Sequence, residues 1–94
     1  MHNLTTQDRK TLLADINHNL LTGGLTLGQA ARRIRTELYQ MSQTQYAAFI
    51  GLSAKTLRDI EKGNTDPKLS VLSKVFRPAG MNVIAQAKKL KAIK

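Results

Sequence analysis

Cysteine and tryptophan are both absent from this 94-residue chain. Without thiols there can be no disulfide, no thiolate metal site and no cysteine nucleophile. A thiol-free chain also fits a reducing compartment, and a cytoplasmic protein is expected. The only aromatics are two Tyr and two Phe, and Tyr39 and Tyr46 are too scattered to form a stacking platform for single-stranded bases. Acidic residues are scarce, six against fifteen Lys and Arg, for a formal net charge of +9. So large a charge on so small a chain points to a polyanionic partner, with nucleic acid ahead of a membrane surface or an acidic protein. No apolar run approaches the ~18 residues of a spanning helix, and no signal-peptide pattern is visible, so no membrane partner is expected. His2 and His18 have no metal-spaced partner. Gly23, Gly24 and Gly28 lack the Lys-Ser/Thr ending of a phosphate loop and read as turn glycines. No histidine lies near a carboxylate–hydroxyl set, so neither an enzyme nor a cofactor or metal is expected.

What is present is a series of short amphipathic segments, enough for one domain with a modest core. Thr5 or Thr6 caps a first helix running to about Leu21, with Leu12, Leu13, Ile16 and Leu20 as its apolar stripe, stopped by Thr22-Gly23-Gly24. The sequence does not say whether the core or a partner covers that stripe. Thr26 starts a second helix, with Gln29 at capping-box spacing. Its buried side is Leu27, Ala30, Ala31, Ile34 and Leu38, and Arg32, Arg33 and Arg35 crowd the rest. Tyr39-Gln40-Met41 is a link.

The stretch from Gln43 to Lys62 reads as two short helices with a tight turn. Ser42 caps the first, with Gln45 at capping-box spacing, and Ser53 caps the second. Tyr46, Ala47, Phe49 and Ile50 form the apolar side of the first helix, and Leu57 and Ile60 that of the second. Gly51 supplies the positive φ between them, and Ala47 is small enough for a close crossing. This is the helix-turn-helix pattern. The second helix exposes Ala54, Lys55, Arg58 and, at its edge, Asp59, groups suited to a DNA major groove. The plain alternative is a solvated helical hairpin. Asp59 would repel phosphate, accept from a cytosine amino group or orient Arg58. Glu61 reads as structural, pairing with an arginine of the preceding helix such as Arg35.

Gly63 closes that helix. Asp66-Pro67 then restarts the chain, with Asp66 as cap and Pro67 at the first helical position. Leu69, Leu72, Val75 and Phe76 drive the last helix into the core, and Pro78 and Gly80 end it. Residues 81–87 read as a strand, with a short helix as the alternative because Ala85, Gln86 and Ala87 are good helix formers. A lone strand exposes its edge, and pairing with the same segment of a second copy would satisfy it. Residues 88–94 hold four lysines and form a basic tail.

From Leu27 to Ala87 the chain resembles the Cro/C1-type, or Xre, helix-turn-helix regulators. The residues that carry the resemblance are M-S-Q-T-Q-Y-A-A-F-I-G-L-S-A-K-T-L-R-D-I-E-K-G-N-T-D-P, positions 41–67. The helix before Met41 is one residue longer than in the phage repressors, and the helix at 6–21 is extra. Residues 69–83, L-S-V-L-S-K-V-F-R-P-A-G-M-N-V, are similar to HipB-type antitoxins, the DNA-binding partners of HipA-type serine/threonine kinase toxins. In that group a short C-terminal strand pairs across a dimer that represses its own operon.

The resemblance implies a mainly α, five-helix domain with an extra N-terminal helix (1–24), a helix-turn-helix core (27–78), a dimerisation strand (81–87) and a basic tail (88–94). It implies double-stranded DNA, a second copy and a HipA-like kinase as partners. Gln43, Ser53, Ala54, Lys55 and Arg58 match base-reading positions, with a local cap as the other role for Gln43. Thr44, Thr56, Lys62 and Asn64 match positions that grip the DNA backbone. Met81, Val83, Ile84 and Ala85 fall in the dimerisation strand. The implied function is a transcriptional repressor acting as the antitoxin of such an operon. The alternatives are an orphan Xre-type regulator and an interaction module that neutralises an acidic partner without reading DNA.

Overall fold

Local capping chemistry sets most of the helix boundaries. The structure is a computed structural model and describes residues 3–83. In chain order it contains α1 (Thr6–Thr22), α2 (Leu27–Arg33) continuing into a π-helical turn (Ile34–Leu38), α3 (Gln43–Ile50), α4 (Ala54–Lys62), α5 (Leu69–Phe76) and a 3-10 turn (Arg77–Ala79). Thr5 with Asp8, Thr26 with Gln29 and Ser42 with Gln45 each form a reciprocal capping box. Ser53 caps α4 by accepting from the Thr56 N–H. Gly23, Gly51 and Gly63 end α1, α3 and α4 in the left-handed region.

The core is built from Ile16, Ala30, Ala31, Ile34, Leu38, Tyr46, Ala47, Leu57, Ile60, Leu72, Val75, Phe76 and Ala79. Ile16 brings α1 into it, and Leu12, Leu13 and Leu20 pack half-buried around it. The apolar stripe of α1 is therefore buried in the chain's own core at Ile16 and only partly covered at Leu12, Leu13 and Leu20. The Tyr46 hydroxyl donates to the Val75 carbonyl at 2.7 Å and the Tyr39 hydroxyl to the Pro78 carbonyl at 2.6 Å, tying α3 and its approach to the end of α5.

Several expectations need correction. Leu27 and Leu69, expected on buried faces, stand exposed, as does Phe49 on the apolar side of α3. Periodicity marks the apolar side of a helix without saying how far a neighbour covers it. Arg35 was placed on the open side of α2 but is buried. Gly28 is not in a turn. It lies inside α2, where a Cβ would collide with the Ile60 and Glu61 carbonyl oxygens. Helix α5 begins at Leu69, not Pro67, because Lys68 is extended (ψ 153) and its carbonyl accepts from both Val71 and Leu72.

The helix before Met41 ends in a widened turn, in which the Tyr39 N–H reaches the Ile34 carbonyl at 3.0 Å. A π turn is how an α-helix absorbs one extra residue. Met81, Asn82 and Val83 are neither helix nor strand. The strand expected over 81–87, with Ile84 and Ala85, falls for the most part outside the described residues, as does the tail at 88–94.

Candidate nucleic-acid interface

Helix α4 owes its position to two features beneath it. Gly28 lets α2 lie against the backbone at the end of α4. Next to it, Arg35 of the widened turn forms a forked pair with Glu61: Nε to Oε2 at 2.7 Å and Nη2 to Oε1 at 2.9 Å. The two side chains are only 9% and 4% exposed. Two parallel charge-assisted bonds suit a planar guanidinium and fix direction as well as distance. Arg35 Nη1 also donates to the Met41 carbonyl at 2.9 Å, so the same side chain fixes the entry to α3. The pairing expected for Glu61 is thus present.

The network continues outward. Gln43, at the first position of α3, donates from Nε2 to Glu61 Oε1 at 3.0 Å. Ser42 and Gln45 make the capping bonds of α3, so Gln43 is not its local cap. Gln43 and Glu61 are eighteen residues apart, and no local spacing rule would connect them. Sequence reasoning missed this link and missed Gly28 as the packing point. The fold brings the amino end of α3 and the carboxyl end of α4 together through this chain of Arg35, Glu61 and Gln43.

On α4, Lys55 and Arg58 are exposed, and Ala54 is half-buried against the core. Ser53 Oγ accepts from the Thr56 N–H at 3.0 Å and donates to Thr56 Oγ1 at 2.8 Å, so both hydroxyls serve the cap. Asp59 pairs with Lys55, not Arg58: Lys55 Nζ lies 2.9 Å from Asp59 Oδ2, one helical turn away. The lysine side chain is 79% exposed, and a pair this open to water is weak enough for another anion to displace. Thr44, Lys62 and Asn64 are exposed, and the Asn64 N–H closes the end of α4 on the Asp59 carbonyl at 3.0 Å. Of the expected dimerisation residues, Met81 and Val83 are half-buried against the core, and Ile84 and Ala85 lie outside the described residues.

A ring cluster closes the other side of α3. Tyr39 and Phe49 centroids are 5.5 Å apart, Tyr39 and Tyr46 5.9 Å, and Tyr46 and Phe49 6.1 Å. Burial holds the Tyr46 hydroxyl protonated well above the usual tyrosine range, and the nearby Tyr39 and Glu61 add to this. No group of His, Asp or Glu among the described residues is arranged to hold a metal ion. No described helix is long and apolar enough to cross a membrane.

The arrangement is a two-helix unit held by buried contacts, with exposed Lys55 and Arg58 on its outward face. No curated protein and no solved structure matches the chain. The helix-turn-helix family model matches residues 32–82, more than half of the chain, from the end of α2 to just past the turn at Gly80. That span holds the capped α3–α4 pair and the Arg35–Glu61 fork described above, and the chain belongs to the Cro/C1-type helix-turn-helix family of DNA-binding regulators.

Proposed function

We propose that this protein is a dimeric, sequence-specific repressor that acts as the antitoxin of a HipA-like kinase toxin–antitoxin operon and represses that operon itself. The observation that carries the DNA-reading part is the fixed placement of α4. The Arg35–Glu61–Gln43 network and the Gly28 approach hold the helix, while Lys55 and Arg58 remain exposed on it. Arg58 and Lys55 would pair with guanine O6 and N7, Ser53 would reach a base edge through its hydroxyl, and Ala54 would lie against a thymine methyl. With one Nε2 hydrogen given to Glu61, Gln43 has its second hydrogen and its oxygen for a base edge or a phosphate. Thr44, Thr56, Lys62 and Asn64 would grip the backbone and set register.

Two copies are needed because one helix reads too few base pairs to be specific, and a two-fold dimer doubles the site. Pairing of residues 81–87 across that axis, through Met81, Val83, Ile84 and Ala85, provides the second copy. The similarity of residues 69–83 to HipB-type antitoxins supports the toxin partner, and DNA binding of this family implies a cytoplasmic or nucleoid location. Selection from a random duplex library tests the reading. It should enrich a palindrome whose half-sites are about one helical turn apart, roughly 34–36 Å. Arg58→Ala and Lys55→Ala should each relax the motif at one base pair, by about 1–3 kcal/mol. Gln43→Ala should weaken all sites more evenly. A library that enriches no motif would remove the repressor reading. A genomic neighbour encoding a kinase supports the antitoxin assignment, and an unrelated neighbour leaves an orphan regulator.

A further inference from the structure

Lys55 and Asp59 stand one turn apart on α4, with Lys55 Nζ 2.9 Å from Asp59 Oδ2. As a helix stabiliser the pair is badly placed. Lys55 lies in the first turn of α4, which holds no acid, and Asp59 begins the last turn. Each charge therefore meets the unfavourable end of the helix dipole. Lysine before aspartate is also the weaker order at this spacing. A carboxylate on a helix that approaches phosphates adds repulsion. Neither helix stability nor attraction to a polyanion accounts for Asp59 at this position.

We infer that Lys55 and Asp59 together read a single G·C base pair, the ammonium on guanine and the carboxylate on cytosine. This depends on α4 entering the major groove as proposed above, and it adds the base pair and the second residue. Guanine N7 and O6 are neighbouring acceptors in that groove, and cytosine N4 is the donor beside them. O6 and N4 are hydrogen-bonded to each other, so they stand about 2.9 Å apart. A donor and an acceptor 2.9 Å apart on the protein thus face an acceptor and a donor at matching separation. The ion pair stays intact on docking. One ammonium hydrogen remains on Oδ2, the other two reach O6 and N7, and Oδ1 accepts from N4. Lys55 neutralises Asp59 and so lets a carboxylate enter the groove. An A·T pair splits its acceptors around the adenine N6 donor, so a carboxylate on N6 would also face thymine O4. Both side chains are open to a duplex, Lys55 at 79% and Asp59 at 30% exposure.

Affinities for the duplex enriched from the random library, with every base pair substituted in turn, decide the matter. Lys55→Ala and Asp59→Ala should flatten the same G·C position, each by about fivefold or more. N4-methylcytosine at that pair replaces the groove hydrogen that Asp59 would accept. It should weaken the unaltered protein by about fivefold and Asp59→Ala by less than about twofold. 7-Deazaguanine, which lacks N7, should likewise weaken the unaltered protein and spare Lys55→Ala. Flattening at two different positions would overturn the inference. So would an Asp59→Ala protein that binds every duplex tighter by one common factor, because the carboxylate then only repels. Should a variant lose its helical circular dichroism, the modified bases decide on the unaltered protein. No loss with N4-methylcytosine at any enriched G·C pair overturns the inference. A selection that enriches no motif sinks the repressor reading and the G·C contact together. An enriched motif in which Lys55 and Asp59 affect separate positions sinks the G·C contact alone.

Discussion

Arg33 and Arg35 sit two positions apart on one helical stretch and face opposite environments. Arg33 reaches Asp15 of α1 at 2.7 Å and Glu37 at 2.9 Å, with 26% of its side chain in water. These partners hold its guanidinium charged even more firmly than usual. Arg35 is buried on Glu61, and through Glu61 it reaches Gln43. The same residue type thus pins α1 from outside at one position and anchors the α3–α4 pair from inside at the other. Arg33 is the last residue of α2, and Arg35 belongs to the widened turn that begins at Ile34. Exposed ion pairs contribute little to stability, whereas breaking one member of a buried pair strands a charge. Position in the fold, not charge, decides which of the two arginines matters.

The largest expected effect is at the buried fork. Glu61→Ala leaves Arg35 charged and unpaired and should cost about 3–5 kcal/mol in urea unfolding. It should also free Gln43 and weaken duplex binding beyond the loss of folded protein. A cost below about 1 kcal/mol would show that the pair is not buried in solution. Next comes Gly28→Ala, which drives a methyl into the carbonyl groups at the end of α4 and should cost about 1–3 kcal/mol through overpacking. A neutral result would mean that α2 and α4 stand farther apart than the structure shows.

The third effect depends on pH. The folded-state pKa of Tyr46 is raised, so its contribution is intact below the unfolded value of about 10. Above that the unfolded chain releases the proton more readily, and the contribution falls as pH rises toward the folded value, by up to about 1.4 kcal/mol per pH unit. Thermal melts from pH 8 to 11 should therefore show a steeper alkaline decline for the unaltered protein than for Tyr46→Phe. Parallel curves would remove Tyr46 as the cause. The smallest effect is Arg33→Ala, about 0.2–1 kcal/mol for each pair lost and smaller still at high salt. A loss as large as that of Glu61→Ala would erase the contrast between the two arginines.

How much of this was legible in the sequence follows from how far each interaction reaches. Ser42 with Gln45, Thr26 with Gln29 and the Ser53 cap are three-residue relations, and all were read from spacing. Lys55 and Asp59 have the i, i+4 spacing of an ion pair, but as an edge group of the exposed face Asp59 reads equally as repelling phosphate, accepting from a base or orienting Arg58. The pairing of Arg35 with Glu61 was reachable from the need to neutralise a carboxylate at a helix end. Its burial was not, because Arg35 belongs to a run of arginines that looks solvated. Gly28 depends on where α2 and α4 cross and the Gln43–Glu61 bond on where α3 meets the end of α4, and no local pattern encodes either meeting. Pro67 shows the opposite failure, a valid local signal for a helix start that the extended backbone at Lys68 displaced by two residues. Lys55 and Arg58, expected on the open side of α4, stand exposed there.

The central claim is that α4 reads sequence on a polyanion and does not merely attract one. The most direct test is titration of the enriched duplex and a scrambled duplex of equal length at 50 and 200 mM salt. With 6–10 phosphates neutralised per complex, affinity should fall by roughly 10³–10⁵ between the two salts. At both salts the enriched duplex should bind tighter, by a factor that Arg58→Ala reduces. Equal affinity for the two duplexes at both salts would contradict the account, leaving a basic helical domain that binds charge alone.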